Sequence, residues 1–117
     1  MKFVIHHHVT VPEHYDLMLE EEDSLLTFRI ERGDVGKLVT GPPLTAERIS
    51  DHRKRYLSYE GPVSCDRGHV SFFDRGEYEK ISSDMTTFTI ALTGEKIKGR
   101  YRFSRSSEEK YWTIQRD

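Results

Sequence analysis

Apolar and polar residues alternate over short stretches of this 117-residue chain, and turn-forming residues separate the stretches. Such period-two alternation is typical of strands that bury one face. The pattern predicts strands over residues 2–8, 14–20, 25–31, 70–74, 78–81, 86–92, 97–104 and 111–116, with shorter extended segments over 37–40 and 57–59. Trp112 and Ile114 give the last strand an apolar face with which to close a sheet.

Residues 45–56 are the least strand-like part of the chain, and Thr45 is a suitable N-terminal cap for a short helical turn. The short strands predict a mainly β protein, a compact antiparallel β-barrel with one or two short helical segments, although a sandwich fits the same pattern. The chain length predicts a single domain over residues 1–117. Residues 106–109 are predicted to be the turn before the last strand.

The composition, with 35% hydrophobic and 32% charged residues and a mean hydropathy of -0.70, is polar but sufficient for a small core. The net charge of -2 means that binding to an acidic partner requires local basic patches. The one cysteine, Cys65, excludes an internal disulfide and is typical of a reducing cytosol. The first apolar run is too short for a signal peptide, and no stretch reaches the roughly 20 apolar residues of a membrane span. These features predict a cytoplasmic protein without membrane contact.

Histidines and an aspartate are concentrated in the first two predicted strands. His6 and His8 share one face of the first strand, and His14 and Asp16 share one face of the second. The residues between them contain Pro12 and suit a hairpin, which brings the two pairs together. Imidazoles with a carboxylate suit a divalent ion such as manganese, iron or zinc. A surface strand without metal and the remnant of an affinity tag are alternatives.

Two further clusters carry charge. Residues 51–56 combine His52 with three cations and Tyr56, a set that suits phosphate binding and proton donation, although a solvated basic turn has the same composition. Residues 96–105 alternate Lys or Arg with apolar residues, which is typical either of a nucleic-acid-binding stripe or of the wet face of an ordinary strand. A tight turn at residues 21–24 predicts that Arg29 pairs opposite Asp16.

Several motifs follow one another along almost the whole chain with characteristic spacing. They are His8, His14-Tyr15-Asp16 and Leu19-Glu20; Asp51-His52, Tyr56 and Tyr59-Glu60-Gly61; Phe73-Asp74-Arg75-Gly76-Glu77-Tyr78; and Ile97-Lys98-Gly99-Arg100 with Trp112. In this order and spacing the chain resembles the 3'-phosphoesterase domain of bacterial DNA ligase D and its stand-alone homologues.

The resemblance implies a compact β-barrel and a manganese-dependent hydrolase that trims 3' ends of DNA during repair, first removing a terminal ribonucleotide and then the 3'-phosphate that remains. It implies that DNA 3' ends on a primer-template are the substrate, with a separate DNA ligase or repair polymerase as a partner, and that zinc is an alternative to manganese. Carried over by position, the metal ligands are His8, His14 and Asp16, while His52 and Tyr56 contact the scissile phosphate.

The chain departs from the family at two positions. Met18 replaces an arginine that serves the phosphate, and His6 replaces a glutamine. Because a lost arginine removes charge-assisted hydrogen bonds, we expect another cation to compensate. The candidates are Arg29, which we assign to catalysis, and Arg53 and Arg55, which we assign with His6 to substrate binding.

The altered phosphate site leaves other functions open. A metal-binding module that recognises nucleic-acid ends or a ligase without turnover is the first alternative, and Met18 favours it. A small histidine-metal barrel of the cupin type is the second, although the downstream Glu and His spacing of such barrels is absent.

Overall fold

The structure, a computed structural model that describes residues 1–105 and 110–117, consists mainly of antiparallel strands. The strands are β1 (Lys2–Val9), β2 (His14–Glu20), β3 (Leu25–Glu31), β4 (Leu44–His52), β5 (Gly61–Pro62), β6 (His69–Ser83), β7 (Thr87–Gly94), β8 (Lys98–Ser104) and β9 (Tyr111–Arg116). The helical segments are α1 (Lys37–Thr40) and a 3-10 turn over Lys54–Leu57. The predicted turn at 106–109 lies outside the described residues. Within the described ranges, no helix is long and apolar enough to cross a membrane.

The sheet closes on itself. Its strands follow the order β1-β2-β3-β4-β9-β8-β7-β6-β5, and β1 also pairs with β6. β9, which carries Trp112 and Ile114, lies between β4 and β8 instead of at the point of closure. The predicted fold class, a mainly β antiparallel barrel with short helical segments, is therefore confirmed.

The strands β1 and β2 are buried on both faces. Phe3 and Ile5 point into the main core inside the barrel, where they meet Leu17 and Phe28. The alternate residues lie on the outer face, where a second, smaller cluster is covered by the 3-10 turn and by part of β6. Its members are Val4, Met18 and Leu25, packed by Tyr56, Leu57 and Phe72. This cover shields the outer face from water, so polar groups on the same face are also buried.

A single long strand, β6, replaces the two predicted strands at 70–74 and 78–81, so that prediction was wrong. Gly76 lies within this strand, opposite Gly94 on β7, where a side chain would collide with the backbone of Thr93. A bulge in the pairing with β1 makes Phe73 an extra residue, so that Phe72 can lie opposite His6 on the outer face.

The carboxylate of Asp74 organises the turn between β7 and β8. It accepts backbone N–H groups from Arg75, Glu95, Lys96 and Ile97, at 2.8 to 3.2 Å. The side chain is 3% exposed, so these bonds satisfy a charge that has left water. The aromatic-Asp-X-Gly motif is therefore structural in this chain.

The predicted secondary structure was wrong in three segments between residues 37 and 59. Residues 37–40 form α1 instead of a strand, because Leu38 is buried and Gly41 ends the helix in a left-handed conformation. Residues 44–52 form β4 instead of a helical turn capped by Thr45, since pairing with β3 and β9 outweighs the weak local preference. The segment 57–59 is not extended, because Leu57 ends the 3-10 turn and packs against the second cluster.

Candidate functional site

The predicted hairpin brings the histidines and the aspartate together. His8 lies opposite His14, and His6 lies opposite Asp16, on the outer face of β1 and β2. His14, Asp16 and His6 are buried, with exposed fractions of 4%, 3% and 1%. The strand register thus holds four polar side chains on one covered surface, as the spacing predicts.

Three of these side chains form a group that could hold a metal ion. One ligand atom each from His8, His14 and Asp16 lies within 4.8 Å of the others. Asp16 Oδ2 is 3.5 Å from His14 Nε2 and 3.8 Å from His8 Nδ1. Two atoms that share an ion at about 2.1 Å each are separated by roughly 3–4 Å, so these spacings fit. His6 belongs to the same face but not to this group.

Hydrogen bonds to backbone carbonyls determine which ring nitrogen His8 and His14 each direct toward Asp16. His8 Nε2 donates to the carbonyl of Arg67 at 2.7 Å, and His14 Nδ1 donates to the carbonyl of Pro12 at 3.0 Å. The opposite nitrogens, His8 Nδ1 and His14 Nε2, are those nearest Asp16. Such carbonyl partners are typical of metal-binding histidines.

Unused hydrogen-bonding atoms mark the same point. Among the described residues, His14 Nε2 and Asp16 Oδ1 are buried without a hydrogen-bond partner. Leaving such groups unpaired is costly, which makes them candidates for ligation by an ion. The donor set of imidazole and carboxylate agrees with a borderline divalent metal.

The local charges favour an ionised carboxylate. Burial opposes ionisation of Asp16, but its contacts with His14 and His8 outweigh burial and hold the pKa of the carboxyl well below its usual range. The contact with Asp16 raises the pKa of His8. Burial lowers the pKa of His6, which therefore favours its neutral form.

A cavity of about 570 Å³ opens above this group, and we call it the metal-side cavity. His52, at the end of β4, and Tyr56, in the 3-10 turn, both line it, and their rings lie 5.9 Å apart. His52 Nδ1 donates to the carbonyl of Ser50, which leaves Nε2 available. Arg53 and His6 line the same cavity. The fold therefore brings these predicted residues together.

Arg55 is placed differently from the expectation. It does not line the metal-side cavity, and its guanidinium packs over the rings of Tyr56 and Tyr59 at 5.3 and 4.9 Å. Its position supports the 3-10 turn instead of facing the site.

Arg29 lies directly opposite Asp16, as predicted. Its Nε is buried without a hydrogen-bond partner among the described residues, and its side chain lines the metal-side cavity. Met18 is fully buried in the second cluster, so this position contributes apolar packing and no charge. Arg29 is thus the cation that lies directly opposite Asp16 in the strand register.

Two contributors to the site escaped sequence reasoning. The Arg67 carbonyl orients His8, and the Arg67 side chain also lines the metal-side cavity together with Ser64. No pattern in the sequence reveals a backbone carbonyl that reaches a histidine 59 residues away. Two further histidines lie away from this group: His7 is on the opposite face against Tyr15, and His69 is exposed.

Comparison with known proteins identifies the family of the chain. Residues 5–105 match the family model described as the DNA Ligase D 3'-phosphoesterase domain. The multifunctional non-homologous end joining protein LigD of Mycolicibacterium smegmatis is 29% identical in an alignment of 119 positions that covers 86% of this chain. The corresponding proteins of Mycobacterium bovis and Mycobacterium tuberculosis are 28% identical and cover 93% of it. The chain spans about 15% of the length of these relatives.

Proposed function

This chain belongs to the DNA ligase D 3'-phosphoesterase domain family, and on that premise we propose that it is a metal-dependent phosphoesterase that trims 3' ends of DNA. Its substrates are a terminal ribonucleoside linked through a phosphodiester and a terminal 3'-phosphate. The observation that carries the proposal is the buried group of His8, His14 and Asp16 at the base of a cavity lined by His52, Tyr56 and Arg29.

The residues of this chain have separate roles in the proposed hydrolysis. His8, His14 and Asp16 would hold the ion, and manganese is our first choice. When bound, the ion polarises a phosphoryl oxygen and lowers the pKa of water. Arg29 and Tyr56 bind non-bridging oxygens of the phosphate. Arg53 extends the positive charge along the path of the DNA strand.

The bond changes are those of a displacement at phosphorus. A water oxygen forms a bond to phosphorus and gives up a proton to solvent water, while the bond from phosphorus to the leaving oxygen breaks. Protonated His52 supplies a proton to that leaving oxygen through Nε2. In ribonucleoside removal the leaving oxygen is the 5' oxygen, and the primer retains a 3'-phosphate. In phosphate removal the leaving oxygen is the 3' oxygen of the primer, which ends as a 3'-hydroxyl.

Met18 favours a second candidate function. Because Met18 stands where the family has an arginine, the second candidate is a module without hydrolytic activity. It would bind metal and recognise either DNA ends or a ligase. The apolar environment of Met18 supports this candidate, whereas the unpaired Nε of Arg29 supports the enzyme.

The test is a manganese-supplemented assay on a primer-template whose primer ends in two ribonucleotides, and on its 3'-phosphate counterpart. We expect both primers to be processed by the wild type and by His69→Ala, a matched histidine variant outside the cavity, and neither by His14→Ala. Tight binding of the 3'-phosphorylated end without turnover by any of them would instead support the second candidate.

A further inference from the structure

A row of side chains crosses the outer surface of the barrel, starting from the group of His8, His14 and Asp16. Asp16 on β2 lies opposite Arg29 on β3, Arg29 opposite Glu47 on β4, and Glu47 opposite Tyr111 on β9. Because neighbouring strands are about 4.8 Å apart, Tyr111 lies roughly 14 Å from Asp16 along this row.

A second cavity of about 500 Å³ covers the far half of the row, and we call it the acidic-side cavity. Pro12, His14 and Arg29 line both cavities, so the two cavities adjoin beside His14. His14 is 4% exposed, and its unpartnered Nε2 marks the junction. A substrate whose phosphorus lies at this junction therefore has one side in each cavity.

The two cavities differ in charge. Three arginines line the metal-side cavity against two aspartates, so its charge on balance is positive and suits a strand that carries phosphates; they are Arg29, Arg53 and Arg67 against Asp16 and Asp51. Four carboxylates line the acidic-side cavity against two arginines, so its charge on balance is negative and disfavours a phosphate; they are Glu13, Glu31, Asp34 and Glu47 against Arg29 and Arg32. Arg29 lies where the cavities meet.

The acidic-side cavity offers hydrogen-bond acceptors and an aromatic ring. Glu31 lies opposite His14, and its carboxylate forms no ion pair with any residue in 1–105 or 110–117. Glu47 is held by Lys110 at 3.2 Å. Tyr111 is 48% exposed, and Lys110 Nζ lies 5.3 Å from the centre of its ring, so a base would stack on the part of the ring that Lys110 leaves open. Carboxylates that accept from hydroxyls beside an aromatic face suit a neutral nucleoside.

We propose that the acidic-side cavity binds the leaving ribonucleoside, an inference that rests on the proposed function. Glu31 and Glu47 accept hydrogen bonds from the ribose hydroxyls, and Tyr111 stacks on the base. The carboxylates repel any further phosphate, so cleavage is confined to the last linkage of a strand. The geometry thus accounts for action at an end and not within a strand.

The test separates removal of the ribonucleoside from removal of the 3'-phosphate, because only the first reaction has a leaving nucleoside. We expect Tyr111→Ala and Glu31→Gln with Glu47→Gln to raise KM for ribonucleoside removal about tenfold and to leave phosphate removal unchanged. Glu79→Gln, an exposed carboxylate on β6, is the matched control and should change neither reaction. Equal loss of both reactions, or no change in either, would overturn the inference.

A binding measurement keeps the inference independent of turnover. Adenosine titrated into the protein should perturb the NMR resonances of Tyr111 and its neighbours, and Tyr111→Ala should weaken binding at least fivefold. If the wild type hydrolyses neither primer but binds adenosine in this way, the proposed function fails while the nucleoside site stands. If adenosine does not bind and KM is unchanged in the variants, the nucleoside site is overturned.

Discussion

His8 and His14 lie directly opposite each other on β1 and β2, yet they direct different ring nitrogens toward Asp16. The difference arises because the carbonyl of Arg67 accepts from Nε2 of His8, whereas the carbonyl of Pro12 accepts from Nδ1 of His14. The backbone thus orients both rings toward one carboxylate, and in the proposed metal site this order would reduce the cost of binding an ion.

The first prediction concerns metal-linked stability. Manganese should raise the free energy of unfolding of the wild type by about 2.7 kcal/mol when the free ion is at 100 times its Kd. Thermal unfolding with and without manganese measures this effect, which His14→Ala and Asp16→Asn should lose. His69→Ala should keep it, and an equal manganese effect in all four proteins would place the ion elsewhere.

The second prediction concerns the orientation of His8. Gly68 has a φ of 79° and follows Arg67, and a side chain there would collide with the backbone carbonyl of Val9. Gly68→Ala should shift the Arg67 carbonyl away from His8 and weaken manganese binding about tenfold, since partners of metal ligands typically contribute 10- to 100-fold. Calorimetric titration measures this affinity.

Gly33→Ala is the matched control, because open space surrounds that position. It should leave manganese affinity unchanged. An affinity of Gly68→Ala equal to that of the wild type would show that the carbonyl does not orient the histidine.

The third prediction tests whether Arg29 replaces the missing family arginine. Arg29→Ala should lower kcat/KM for both primers about 10- to 150-fold, because each charge-assisted hydrogen bond contributes about 1.5–3 kcal/mol. Arg102→Ala on β8, an exposed arginine outside both cavities, should retain activity. Full activity of Arg29→Ala would remove Arg29 from the mechanism.

The fourth prediction concerns the carboxylate that holds the turn between β7 and β8. Asp74→Ala should lower the free energy of unfolding by about 3 kcal/mol or more, because it leaves several backbone amides without their acceptor. Urea unfolding measures the loss. Asp84→Ala should cost only about 1 kcal/mol, since Asp84 serves two amides in an exposed turn. Similar losses in both variants would contradict the special role of Asp74.

The fifth prediction concerns alkaline pH. Burial, together with nearby Glu21 and Glu20, raises the pKa of Tyr78 from about 10 to about 12. Because folding favours the neutral phenol, this contribution to stability is complete below pH 10 and is lost as the pH rises toward 12. Tyr78→Phe should be less stable than the wild type at pH 8, and the difference should shrink between pH 10 and 12. A difference for Tyr78→Phe that stays constant between pH 10 and 12 would contradict the assignment.

The hairpin, the pairing of Asp16 with Arg29 and the grouping of His8, His14 and Asp16 were predictable because they depend on local alternation and on a short connection. Residues 37–40 and 45–52 were not, because α1 depends on the burial of Leu38, and β4 depends on pairing with β3 and β9. The role of Arg67 could not be predicted either. Every residue has a backbone carbonyl, and the sequence does not show which carbonyl reaches His8.

The strand β6 pairs with β1 along one edge, and its other edge is only partly covered. Between its pairing with β5 and its pairing with β7, β6 has a short edge around residues 71–75. There Glu60 accepts the N–H of Phe72, and Asp74 accepts the N–H of Arg75. A strand from another molecule finds these donors already occupied, so the gap in the barrel wall is protected against edge-to-edge aggregation.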